Sequence, residues 1–536
     1  MLPYVETGYF DDNWPAILLD QSNIKKVGRD LYLIYLFKHK KLLNFGLRKR
    51  KMKMKNIVRL FVLPLVAILL LQCTGDSKTG VATEQATMPI QAENPEILIQ
   101  IEGLTGGVMR LIGLFTDQQF VVDTAVVDQS GKAVFKGQEP YAQGLYYLLL
   151  PNNANFQLLI SEDQTFEMRA SINNIEGTMQ VTGQMDNKLL YENLRYEPTY
   201  KQRFQVIGSQ LQGVSKNDPN YSSLMTQRAA LMAERITHLE GLYAQAPHSL
   251  FTAFKKAGQN PDLRLDVPEN EQIYWYRHQF WDSVDFSDER LLHTPVISNK
   301  LKRYMSQLTP QQPDSIIAAT DHLISLLPTW KNSAYFKYFV NAISLMYEPA
   351  ETTLMDAEAV YVNMVNKYFT YENAFWADSA NIYALQLRAE EMGNSLVGQP
   401  GPNVTAPDPN GVKRSVYDLK APYIIVYLYN PDCEHCQEQS PKLVSLYNKW
   451  QSTQNPVADV YAIAIDTDDT LWKNYIAKTK MRWTNVFDPT NRSIYKTYYV
   501  NVTPELYVLG PDRKIIAKNL KVNQVEEVIQ RDQRKR

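Results

Sequence analysis

The sequence predicts a multidomain chain: an all-β, sandwich-like domain over residues 95–185, an all-α region over 186–394, and an α/β domain over 395–536. Three patterns predict it. Short apolar-alternating runs broken by Gly, Asn and Ser turns fill the first segment. Apolar residues at helical spacing, interrupted by Pro, fill the second. In the third, a fully apolar run is followed by an amphipathic helix and then by further alternating strands and helices.

Taken in order, the first segment offers strands at Ile97–Glu102, Gln119–Val127, Ala133–Phe135, Leu145–Leu150 and Gln157–Ile160. Turns are expected at Gly106-Gly107, Ser130-Gly131 and Asn152-Asn153. Many short strands with regular turn signals read as a sandwich or an open barrel. The second segment offers helices at Ser222–Tyr243, Ile297–Leu308, Asp314–Leu327, Ala334–Met346 and Ala357–Phe369, with breaks at Pro295, Pro310, Pro328 and Pro349. His293 with Asp288, and Trp275 with Trp281, are expected to be packing residues and not a site. In the third, Asn403–Ala406 and Val412–Ser415 form a leading hairpin around Pro409-Asn410-Gly411. Strands are then expected at Tyr423–Tyr429, Val457–Ile465, Trp483–Phe487, Glu505–Leu509 and Lys514–Ala517. The helices between them run from the Cys433 region to about Trp450, over Thr470–Lys478, near Ser493–Tyr498, and from Val522.

Composition narrows the function. A chain of 536 residues with 45% hydrophobic and 21% charged residues is globular, and on the order of three or four domains long. The formal net charge of −1 and the lack of a basic domain point away from nucleic acid as a partner. There are only three cysteines, Cys73, Cys433 and Cys436. That is too few for a disulfide-stapled scaffold or a four-Cys zinc site, so no metal and no cofactor is expected.

Residues 52–73 read as a targeting segment. Lys53, Lys55 and Arg59 precede the apolar run Leu60–Leu71, which is too short for a comfortable membrane span and suits a signal-peptide core. It ends at Gln72-Cys73 and is followed by a polar tether over 74–94. The pattern resembles a bacterial lipoprotein signal, which implies lipidation at Cys73 and a membrane attachment. Gln72 departs from the small residue usual before that cysteine, and an ordinary cleaved signal is the alternative. Residues 1–51 are then expected to be a mis-called extension, with the true start at Met52 or Met54.

The chemistry is carried by Cys433-Glu434-His435-Cys436, placed between the apolar run Tyr423–Tyr429 and a helix. A CxxC pair in that setting reads as a redox motif of thioredoxin type, against a zinc half-site or chance. Thr503-Pro504 precedes the strand Glu505–Leu509, 71 residues after Cys433. That distance leaves room for one βαβ unit, and an X–Pro bond tolerates the cis form. Cys433 at a helix N-terminus would be stabilised as the thiolate and act as nucleophile. Cys436, one turn on, would resolve the mixed disulfide. His435, if protonated, would favour the thiolate; Glu434 opposes it.

On these residues the α/β segment resembles the TlpA/ResA branch of the thioredoxin superfamily, membrane-tethered thiol–disulfide oxidoreductases. Residues 398–406, GQPGPNVTA, resemble that family's opening segment, and Pro441 matches its Pro five residues past the second Cys. The resemblance implies a periplasm-facing, lipid-anchored oxidoreductase with protein disulfides as substrates, an upstream membrane electron donor, and Cys433, Cys436 and Pro504 as working residues. Three departures follow. Asp432 stands where Trp often precedes the first Cys. Gln439 replaces a Glu thought to move protons, leaving that role unfilled or shifted to Glu438. Tyr427 occupies the place of a buried acid in the preceding strand. The stretch VVDTAVVDQSGKAVFKG at 121–137, with GLYYLLL at 144–150, resembles a β-domain of unknown function found ahead of such domains in Gram-negative envelope lipoproteins. A net disulfide oxidant or isomerase, and an envelope binding module with a redox switch, stand as alternative functions; a peroxidase reading is weaker.

Overall fold

The computed structural model describes residues 94–536, except 216 and 265. The segments 1–51 and 52–73, Cys73 among them, and the tether up to residue 93 lie outside the described residues.

The strand-rich segment is a sandwich of two four-stranded sheets. Its strands are β1 (Glu96–Glu102), β2 (Val108–Phe115), β3 (Gln118–Val126), β4 (Lys132–Lys136), β5 (Gly144–Leu149), β6 (Asn155–Ile160), β7 (Thr165–Ser171) and β8 (Gln180–Thr182). One sheet has the order β4-β1-β7-β8 and the other β3-β2-β5-β6. Alternation buries Ile97, Ile99 and Ile101 of β1 against Leu145 and Leu148 of β5. The sequence reading lacked β2, β7 and β8. In β2 a register shift between Leu111 and Ile112 breaks the alternation, and β7 buries Phe166, Met168 and Ala170, of which Met and Ala are weak strand signals.

The helical region begins with two long helices, α1 (Met185–Gln212) and α2 (Pro219–Gln245). Asn187 of α1 anchors it to the sandwich: its side chain accepts from the Leu159 N–H at 2.8 Å and donates to the Leu159 carbonyl at 2.8 Å, as a neighbouring strand would. Glu197 and Arg235 form a buried ion pair between the two helices, at 2.7 Å. Shorter helices follow: α3 (Leu250–Ala257), α4 (Glu269–His278), α5 (Val296–Arg303), α6 (Pro313–Ser325), α7 (Ala334–Met346), α8 (Ala357–Tyr368) and α9 (Ser379–Gly393). Trp281, Tyr304 and Phe339 lie at the centre of their core. The helix expected over Ile297–Leu308 ends as α5 at Arg303 and continues as a π turn, Tyr304–Leu308. Thr309 and Gln311 side chains donate to the Tyr304 and Met305 carbonyls that the widened turn frees. His293 and Trp281 are packing residues: His293 Nδ1 lies 3.0 Å from the Leu114 carbonyl and Trp281 is buried.

The α/β segment opens with the hairpin β9 (Thr405–Pro407) and β10 (Lys413–Ser415). It continues through β11 (Tyr423–Tyr429), α10 (Glu434–Gln451), β12 (Ala458–Ala464), α11 (Asp469–Thr479), β13 (Thr484–Phe487), α12 (Arg492–Tyr498), β14 (Glu505–Leu509), β15 (Ile515–Ala517) and α13 (Val525–Lys535). The sheet order is β13-β12-β11-β14-β15, with β11, β12 and β13 parallel and β14 and β15 antiparallel. This is the thioredoxin fold. Every residue of central β11 is buried because both faces are covered. Tyr423, Ile425, Tyr427 and Tyr429 pack with Cys436 and Leu443 of α10 and with Ile529 of α13. Ile424, Val426 and Leu428 pack with Ile494 and Tyr498 of α12.

Candidate redox site

Strand β11 ends at Tyr429, and the chain turns through Asn430-Pro431-Asp432 into α10. Asn430 builds the turn: its carbonyl accepts from Cys433 N–H at 3.1 Å and its side-chain oxygen from Asp432 N–H at 2.8 Å. Its amide also donates to the Asp466 carbonyl at 3.1 Å, tying the turn to the end of β12. The turn leaves Cys433 as the N-cap of α10, with an extended backbone and its sulfur accepting from the Cys436 N–H at 3.4 Å. A helix N-terminus presents unpaired N–H groups and the positive end of its dipole, which favour a negative sulfur.

Across the cleft, the Thr503–Pro504 peptide bond is cis. The Thr503 carbonyl lies 3.2 Å from the Cys433 sulfur, a contact the thiol makes by donating. Cys433 is half-buried and Cys436 is buried, and both are free thiols. Partial burial works against the Cys433 thiolate, but hydrogen bonds from the Thr503 side chain and from the Cys436 and His435 backbone outweigh it, and the thiol lies below its ordinary value. Burial pushes the Cys436 thiol up to about 12. The pair is therefore asymmetric, with one sulfur ready as an anion and its neighbour held as a thiol.

The predicted residues divide into two groups. Cys433, Cys436, Thr503 and Pro504 come together. Glu434 and His435 are exposed on the first turn of α10. Glu438 does not take over the missing acid's place. It is exposed, and its pair with Lys442 at 2.6 Å on the same helix holds its carboxyl below the usual range. Position 438 is two residues past Cys436, so it cannot share Cys436's face of the helix. Gln439 accepts instead from the Val522 N–H at 3.3 Å and steadies the approach to α13.

Behind Cys436 the fold places side chains that sequence reasoning missed. Tyr475 of α11 donates to the Cys436 carbonyl at 3.1 Å. Ser440 shares a hydrogen bond of 2.9 Å with the Tyr427 hydroxyl, filling the place of a buried acid with a neutral pair. Burial holds the Tyr427 phenol far above its ordinary value. Ser440 was legible in principle, one helical turn past Cys436. Tyr475 carries no local signal, because its approach depends on how α11 packs. Among the described residues, no group of three or more His, Cys, Asp or Glu could hold a metal ion, and no helix is long and apolar enough to cross a membrane.

Residues 397–518 match the AhpC/TSA family, residues 246–385 a domain of unknown function, DUF5106, and residues 96–190 another, DUF4369. No curated protein matches the chain. Among solved structures, a thioredoxin-like protein from Bacteroides caccae is 19% identical over 51% of this chain and 97% of its own, with a TM-score of 0.42. The thioredoxin domain of a thiol-disulfide oxidoreductase from Bacteroides vulgatus is 25% identical over 25% of this chain and 97% of its own, with a TM-score of 0.23. A thiol:disulfide interchange protein from a Bacteroides species is 24% identical over 26% of this chain and 92% of its own, with a TM-score of 0.23.

Proposed function

We propose that the chain is a TlpA/ResA-like thiol–disulfide oxidoreductase of the cell envelope that reduces protein disulfides through Cys433 and Cys436. The observation that carries the reading is the unequal pair itself: a half-exposed sulfur capping a helix, one turn from a buried thiol. The Cys433 thiolate attacks a substrate disulfide, forming a mixed disulfide and expelling one substrate sulfur as thiolate, which takes a proton from solvent. Cys436 then loses its proton and attacks the Cys433 sulfur. The second substrate sulfur leaves, and the substrate has gained two electrons while the pair has become a disulfide. A membrane electron donor upstream would restore the dithiol. Thr503 lies against the sulfur across the cleft, with Pro504 next to it in the chain. Lipidation at Cys73 would hold the protein on a periplasm-facing membrane surface.

Two substitutions test the reading. Cys433→Ser should abolish insulin reduction, and Cys436→Ser should accumulate mixed disulfides with envelope proteins; full insulin reduction by Cys433→Ser would defeat it. The direction of electron flow is read from the reduction potential, with about −270 mV marking a reductant like thioredoxin and about −120 mV an oxidant like DsbA. The family matched by residues 397–518 takes its description from AhpC and TSA, but two cysteines in one helix-capping motif favour disulfide exchange as the chemistry.

A further inference from the structure

The loop from Tyr499 to Glu505 carries Thr503 to the Cys433 sulfur, and both of its ends are held by the helical region. At the first end, Arg388 of α9 donates through Nε to the Tyr499 hydroxyl at 2.8 Å. Arg388 is itself fixed by a two-pronged pair with Glu348 and lies over the Tyr361 ring, 4.5 Å from its centroid. The Tyr499 ring packs against the core of the helical region. Beside it, Glu391 of α9 pairs with Lys496 at 3.5 Å.

At the second end, Glu505 accepts from the Asn519 N–H at 2.9 Å. The Asn519 amide donates to Glu358 of α8 at 3.2 Å. Lys518 is fully buried and lies 3.4 Å from Glu358 and 3.9 Å from Asp356, the residue that opens α8. Its ammonium and one Asp356 oxygen make no hydrogen bond. Asp356 also accepts from the Val397 N–H at 2.8 Å, at the entry to the redox domain.

Buried charges are poor glue, since apolar residues would hold two domains together at lower cost. Here three carboxyl groups, Asp356, Glu358 and Glu505, surround a single lysine, beside the strand that receives the loop. Resting on the redox reading above, we propose that Asp356, Glu358 and Arg388 are positioning residues of the redox site: through Lys518, Asn519 and Tyr499 they hold the 499–505 loop against Cys433 and so fix the hydrogen-bond surroundings of its sulfur. The helical region is then a working part of the redox unit and not only its neighbour.

The cluster is also proton-sensitive. Burial pushes Glu505 up to about 7 and Asp356 up to about 6, in each case against the attraction of Lys518. Glu358 adds to both shifts, and Asp314 of α6 adds to that of Asp356. Tyr507 of β14 also lies against the cluster, its ring 5.2 Å from the Lys518 ammonium and its phenol held neutral by burial. Protonation at the lower end of this range relieves repulsion between Glu505 and Glu358 across the domain boundary. The hold on the loop is thus tightest at mildly acidic pH and loosens as pH rises.

The test is the pH profile of iodoacetamide alkylation at Cys433 in the reduced full chain, quantified on the Cys433 peptide, together with the reduction potential of the pair. Tyr499→Phe and Glu358→Gln should each shift the Cys433 midpoint by about half a unit, which is about a threefold change of alkylation at pH 7. Glu505→Gln should remove an inflection between pH 6 and 8 that the unmodified chain shows. Tyr499→Phe deletes one hydroxyl, so it decides the matter even if Glu358→Gln does not fold. Folded Tyr499→Phe chain with an unchanged profile and potential would overturn the proposal while leaving the redox reading intact. An ordinary thiol midpoint for Cys433 in the unmodified chain would overturn both.

Discussion

Cys433 and Cys436 are three residues apart, yet their sulfurs meet opposite environments. The cap position gives the first backbone donors; around the second, burial outweighs the hydrogen bonds from the Asn430 backbone and the Thr503 side chain. Since Cys433 lies below its ordinary value and Cys436 near 12, iodoacetamide at pH 8 should modify Cys433 and leave Cys436 untouched. Equal labelling of the two peptides would contradict the asymmetry. The same logic applies behind the pair. Ser440→Ala would leave the buried Tyr427 hydroxyl without its partner, at a cost of about 1–3 kcal/mol. That loss should appear as a lower urea midpoint of the redox domain. Adding Tyr427→Phe should recover most of it, because no polar group then remains unpaired.

At the scale of elements, buried polar groups decide how neighbouring segments lie. Asn187 fixes the start of α1 to β6, and the Glu197–Arg235 pair fixes α1 to α2. Removing one partner of a buried pair strands a charge, so Glu197→Ala should destabilise the helical hairpin by about 3–5 kcal/mol. Replacing both with Leu and Met should cost far less. A thermal melt in which the single and double variants lose the same stability would refute this account. The elements themselves were legible where one period dominates: β11, β14 and α7 lie at their expected bounds. Elements with a broken pattern were not. β2 bulges, α3 and α4 are short, and α9 has only Ile382, Ala389 and Met392 buried, too sparse a stripe to read.

For the whole molecule, the meeting of the helical region with the redox domain makes stability depend on pH. Glu505 titrates near 7 in the folded chain and near 4.5 in its ordinary state. The folded state therefore binds the extra proton between those values. This contribution is fully present below about 4.5 and is lost as pH rises through about 7. The urea midpoint of the unmodified chain should accordingly fall between pH 5.5 and 8 by more than that of Glu505→Gln. Parallel pH dependence in the two chains would show that Glu505 is not the group responsible.

The α/β class of the last segment, the helix that opens at Cys433 and the strand that follows Pro504 were all determined by local pattern: an apolar run, a CxxC at a helix start, and an X–Pro before a strand. These signals are local because backbone periodicity and capping act over a few residues. The sequence named Thr503 but not its carbonyl's contact with Cys433, and it left the missing acid's role either unfilled or with Glu438, of which the helix geometry excludes the second. Tertiary structure alone decided that Tyr475 reaches Cys436, and that Lys518 lies between acids of the helical region. Such contacts join residues 39 to more than 150 positions apart. Their energies depend on burial, which exists only once separate elements have packed.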